Sequence, residues 1–72
     1  MLIIVLTSIT YAMKAQRFLQ TQGIKTYLER NIEKYGEFGC GYVLQVPQKQ
    51  KHKLAVDLLK SRNFKISKLI YN

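Results

Sequence analysis

Leu2 to Leu6 is an unbroken aliphatic run, and a run of that length fits a strand buried on both faces. From Thr10 to Gln22 the pattern changes. Tyr11, Ala12, Ala15, Phe18 and Leu19 recur at three- and four-residue steps, which predicts a helix with one apolar stripe. Ser8 or Thr10 can cap its start, and Gly23 stands where a C-terminal glycine would. Ile24 to Arg30 alternates, with Ile24, Thr26 and Leu28 on one side, and predicts a second strand. Asn31 to Gly39 has no useful period and is expected to be a loop. Tyr42 to Val46 predicts the third strand, closed by Pro47. Lys49 to Arg62 carries Leu54, Ala55, Leu58 and Leu59 at helical spacing, with Asn63 suited to a left-handed turn at its end. Ile66 to Tyr71 is the last expected strand.

The order strand-helix-strand-strand-helix-strand is the split βαβ unit of the ferredoxin-like α+β fold, βαββαβ. Right-handed crossovers place the first and third strands in the centre of a four-stranded antiparallel sheet, with two helices on one face. The first strand is apolar on both sides, whereas the two helices cover one. A homodimer through the open sheet face is the simplest way to shield the other.

Seventy-two residues make a single domain, and residues of the hydrophobic class, 47% of the chain, are enough for a core. The opening apolar run ends at Thr7, too short for a membrane span and without a preceding basic segment, so a cytoplasmic protein is expected. The net charge of +8 is unevenly placed. Residues 1–48 hold five basic and three acidic groups, whereas residues 49–72 hold seven and one. That skew favours an acidic partner, with nucleic acid or an acidic protein face as alternatives, and it also serves solubility. Lys49, Lys51, Lys53, Lys60 and Arg62 are the candidate docking cations, with Lys65 and Lys68 beyond them.

The one cysteine, Cys40, stands between Gly39 and Gly41 and has no partner for an internal disulfide. In this topology it begins the third strand, at the sheet edge where the first strand ends and the first helix starts. A helix N-terminus lowers a thiol pKa and favours the nucleophilic thiolate. Thr7, Ser8 and Thr10 are the candidate hydrogen-bond donors there, and Lys60 and Arg62 can add positive potential. The structural alternative for Cys40 is a small hydrophobe packed under the loop. His52 begins the second long helix at the opposite edge, so a Cys–His dyad within one chain is not expected. One His and one Cys assemble no structural zinc site, and no phosphate loop or dinucleotide fingerprint is present, so neither metal nor cofactor is implied.

Two resemblances compete. The third strand, Gly39-Cys40-Gly41-Tyr42-Val43-Leu44-Gln45, partly resembles the RNA-recognition motif, but Cys40 and Gln45 occupy positions expected to carry stacking aromatics, and Ile3 stands in the first strand where another belongs. A second resemblance covers nearly the whole chain. A short apolar first strand, Ser8 opening a helix with Ala12, Lys14 and Ala15, then Gly23-Ile24, then Cys40-Gly41 before an apolar strand resembles the selenium/sulfur carrier protein-like family of small bacterial proteins. That resemblance implies a ferredoxin-like fold, a cysteine that holds sulfur or selenium as a persulfide or selenosulfide, and donor and acceptor proteins as partners. It marks Cys40 and Gly41 only. The proline common in the family before the cysteine is absent from Asn31-Ile32-Glu33-Lys34-Tyr35-Gly36. A carrier thiol needs exposure and no resolving cysteine; it needs no general base, so no enzyme activity is expected. The competing class is a small binding module for nucleic acid or an acidic protein.

Overall fold

The computed structural model describes residues 1–38 and 41–71. Four strands, β1 (Leu2–Leu6), β2 (Tyr27–Arg30), β3 (Tyr42–Val46) and β4 (Ile66–Tyr71), form one antiparallel sheet in the order β2-β3-β1-β4. This is the ferredoxin-like order, with β1 and β3 central. The apolar runs place β1, β3 and β4 at the expected residues.

Two long helices, α1 (Ile9–Thr21) and α3 (His52–Ser61), are packed on one face of the sheet. Their stripes meet Leu2, Ile4, Leu6, Leu44 and Val46 in the main core, through Ala12, Ala15 and Leu19 from α1 and Ala55, Val56 and Leu59 from α3. Each larger aliphatic fully buried there contributes about 1.5–3 kcal/mol of transfer free energy. Small residues at Ala12, Ala15 and Ala55 let the helix backbones lie close to the sheet.

Ser8 caps α1, its Oγ accepting the Tyr11 N–H at 3.2 Å. Both long helices end the same way. Gly23 takes φ +78°, the Ile24 N–H donates to the Leu19 carbonyl at 3.0 Å, and the Gly23 N–H donates to that of Gln20 at 3.1 Å. After α3, Asn63 takes φ +62°, and the Phe64 and Asn63 N–H groups donate to Leu59 and Lys60, both at 3.0 Å.

Four expectations change. The second strand was expected from Ile24 but pairs only from Tyr27; the Thr26 carbonyl instead accepts from Gln16 Nε2 of α1 at 3.3 Å. Ile24 instead completes the turn that ends α1. The second long helix was expected over Lys49 to Arg62; it opens with a 3-10 turn, Lys49–Lys51, before the α-helix begins at His52. The first helix begins one residue earlier than Thr10 and ends at Thr21 rather than Gln22.

The largest change lies in the expected loop from Asn31 to Gly39. It contains a short helix, α2 (Ile32–Tyr35), followed by a 3-10 turn, Gly36–Phe38. The Asn31 Oδ1 caps α2 by accepting the Lys34 N–H at 3.0 Å. Tyr35, 2% exposed, packs with Ile3, Val5 and Val43 on the sheet face away from α1 and α3. Those strand residues are buried within one chain, so covering the open face does not itself require a second subunit.

β4 is an edge strand. Its register against β1 shifts between Val5 and Leu6, which pair with Lys68 and Ile66, leaving Ser67 as an inserted residue. Such an irregularity, with exposed Lys65 and Lys68 beside it, discourages pairing of the edge with a further strand.

Candidate functional site

The registers Val5↔Val43, Leu6↔Ile66 and Arg30↔Tyr42 bring four chain segments to one sheet edge. They are the ends of β1 and β2 and the beginnings of β3 and β4. α1 starts at the same edge, immediately after Ser8. Gly39 and Cys40 lie outside the described residues; the next residue, Gly41, is described and buried.

Gly41 has two independent reasons to be glycine. Its φ is +83°, in the left-handed region. A Cβ there would also stand 2.8 Å from Ile32 Cγ1 and 3.2 Å from the Ile32 Cα, closer than side-chain carbons pack. The Gly41 carbonyl accepts the Asn31 N–H at 2.8 Å, and the Tyr35 N–H donates to the Asn31 carbonyl at 2.9 Å. The chain entering β3 is thus seated against the first turn of α2, and α2 is seated on the sheet by Tyr35. Asn31, Ile32 and Tyr35 were not singled out from the sequence. A capping residue at Asn31, an acid in the first turn at Glu33 and apolar groups three apart at Ile32 and Tyr35 are the signal that marks the helix.

The expected supporting residues divide. Ser8 Oγ is the helix cap, with its own O–H left to donate elsewhere. Thr7 is exposed at the end of β1. Thr10 lies on the outward side of α1, beside Met13, Lys14 and Arg17.

The basic residues expected as docking groups are spread over α3 and its flanks. Lys49, Lys53, Lys60 and Arg62 are exposed and Lys51 is half-buried. Arg62 is already engaged, its guanidinium 4.9 Å from the centre of the Phe18 ring, and Phe18 in turn stacks on Phe64 at 6.3 Å. Arg30 lies over Tyr42 at 5.9 Å and Lys34 over Tyr35 at 5.4 Å.

His52 has a structural task. Its Nε2–H donates to the Val46 carbonyl at 2.8 Å, and its ring lies 6.2 Å from that of Tyr71. Val46 ends β3 and Tyr42 begins it, so about 13 Å of strand separates His52's anchor from the Gly41 edge. Among the described residues, no three His, Cys, Asp or Glu side chains come together as a metal site.

The sheet face also bears on the RNA-recognition resemblance. Ile3 and Gln45 are direct partners across the central strands. Ile3 is only 3% exposed and packs with Tyr35. The stacking platform of that motif is therefore absent from these two positions.

The order of strands, the Gly41 seat and the short capped helix beneath it define a small ferredoxin-like α+β protein with a shaped β2–β3 connection. A family described as "Putative Se/S carrier protein-like" matches residues 1–71. The chain belongs to that family. No curated protein and no solved structure matches it. No helix among the described residues is long and apolar enough to cross a membrane.

Proposed function

We propose that this protein is a sulfur or selenium carrier that uses Cys40 as its acceptor thiol. The observation that carries this reading is the family match over residues 1–71. The Cys40-Gly41 pair supports it, because Gly41 is held by its backbone conformation, by the Ile32 contact and by the Asn31 hydrogen bond.

The chemistry needs only the thiol. The Cys40 thiolate attacks the outer, sulfane sulfur of a donor persulfide, RS–SH. A new S–S bond forms on Cys40, the donor's S–S bond breaks, and the donor leaves as its thiolate, RS⁻, with the bonding electron pair. An acceptor thiolate then takes the outer sulfur and returns Cys40 as its thiolate. A selenotrisulfide donor, RS–Se–SR, reacts by the same displacement at selenium: one RS⁻ leaves and Cys40 holds the selenium as a mixed selenotrisulfide, Cys40–S–Se–SR. A further thiolate, removing the remaining RS– group as a disulfide, is needed to give a selenosulfide. Neither exchange needs an external oxidant or a second cysteine.

Intact-mass measurement after incubation with inorganic polysulfide, and separately with a selenotrisulfide, tests the reading. The expected product is heavier by the transferred group, reverts with a reducing thiol, and is absent from Cys40→Ser. An unmodified protein under conditions that convert glutathione would reject it.

A further inference from the structure

We propose that the outward stripe of α1, formed by Thr10, Met13, Lys14 and Arg17, docks an acidic, leucine-bearing segment of a protein partner. This deepens the carrier reading and rests on it, the partner being a protein that gives or takes the carried atom.

The spacing of the four residues puts them on one side of α1, opposite the buried Ala12, Ala15 and Leu19. Their side chains line an open groove of about 310 Å³. The charge of its lining is of one sign, Lys14 and Arg17. Residues 1–25 hold Lys14, Arg17 and Lys25 and no acid, whereas residues 26–38 hold Glu29, Glu33 and Glu37 against two cations. Among the described residues, Lys14 and Arg17 are not stacked over rings as Arg30, Lys34 and Arg62 are. Their charge is open to a partner's carboxylates.

Met13 decides between classes of polyanion. It is 54% exposed between the two cations and the hydroxyl, and neighbouring Tyr11 is 48% exposed. Methionine and arginine are enriched where proteins meet, and an exposed thioether has nothing to offer a phosphate backbone. Nucleic-acid binding by this fold would draw on aromatics of the open sheet face, where Tyr35 covers Ile3 and Val43 instead. An acidic segment that also carries aliphatic groups satisfies both the charge and Met13.

The location suits a hand-off. α1 begins at the sheet edge that receives the chain at Gly41, and Thr10 is the end of the stripe nearest that edge. A partner lying along the stripe is placed beside that edge. One helix face is a small interface, so binding is weak and readily reversed, as a carrier requires.

The test is a titration of isotope-labelled Cys40→Ser protein, followed by amide chemical shifts. One probe is a short synthetic peptide of alternating Glu and Leu; the other is a single-stranded RNA oligonucleotide of matched charge. The peptide is expected to shift amides from Thr10 to Arg17. The exposed double variant Lys14→Glu/Arg17→Glu should weaken it by about tenfold or more, as charge reversal at a complementary surface does. Met13→Ser should weaken it several-fold, and that loss should persist at raised salt, which screens charges but not apolar contact. Shifts centred on the lysines of α3 and β4, an unchanged affinity in the double variant, or tighter binding of RNA at the same amides would each overturn the proposal. Docking is read without the thiol, and polysulfide loading is read without a partner, so failure of one is distinguishable from failure of the other.

Discussion

The two faces of the sheet are covered by different means. On one, α1 and α3 lay two long stripes over Leu2, Ile4, Leu6, Leu44 and Val46, and twelve buried residues share the packing. On the other, a four-residue helix sets one aromatic ring, Tyr35, against Ile3, Val5 and Val43. The first face distributes its stability over many contacts. Among the described residues, the second is covered by one large side chain with the half-buried Ile70 beside it, and that side chain stands on the same short element that seats Gly41. The seat of Gly41 and the cover of the second face therefore share α2.

Single truncations can break that comparison. Tyr35→Ala is expected to show the largest effect, about 3–5 kcal/mol in urea unfolding, as for other large aromatics removed from a core. It should also expose Ile3, Val5 and Val43 and raise binding of a hydrophobic dye. Leu59→Ala, on the helix face, should cost about 2–5 kcal/mol without that dye response. Equal dye binding by the two variants would show that Tyr35 is not the sole anchor of its face.

The two left-handed glycines sharpen the picture with a smaller effect. Gly23 and Gly41 have φ of +78° and +83°, but a Cβ at Gly23 meets nothing within 4 Å, whereas one at Gly41 meets Ile32. Gly23→Ala should cost about 1–2 kcal/mol, the strain of the left-handed backbone. Gly41→Ala should cost about 1–3 kcal/mol more, from overpacking against Ile32. Similar unfolding midpoints for the two would remove the steric part of the case for Gly41.

The caps give the smallest difference. Ser8→Ala and Asn31→Ala each remove one side-chain acceptor, at a cost of about 1 kcal/mol. Ser8→Ala is expected to fray the 13-residue α1 locally. Asn31→Ala should speed amide exchange through the whole of α2, which has too few turns to hold without its cap. Exchange protection measured at Lys34 and Tyr35 distinguishes these outcomes.

What the sequence disclosed follows from length and period. The aliphatic run of β1, the apolar stripes of α1 and α3, and the residues after both long helices, Gly23 and Asn63, carry local signals strong enough to place the main fold. β2 was overextended because Ile24 and Thr26 are buried like strand residues; Ile24 is held there by the turn that ends α1. α2 was missed because four residues span barely one turn and give no repeat to recognise. Its significance is tertiary: nothing around Tyr35 in the chain reveals that Ile3, Val5 and Val43 lie beneath it. The Cys40-Gly41 pair stood out as a motif, whereas Gly41's contact with Ile32 joins residues nine positions apart.

The pairing of Leu2 with Tyr71 has a consequence for engineering. Antiparallel partners lie about 5 Å apart at their Cα atoms, so the two ends of the sheet are neighbours. A short linker can join them, and the chain can be reopened in the exposed turn around Gly23, where φ is positive and no side chain crowds the backbone. Such a circular permutant would make β1 and β4 consecutive in the chain while leaving the β2–β3 connection uncut. The order in which strands are synthesised would then be separated from the geometry around Gly41.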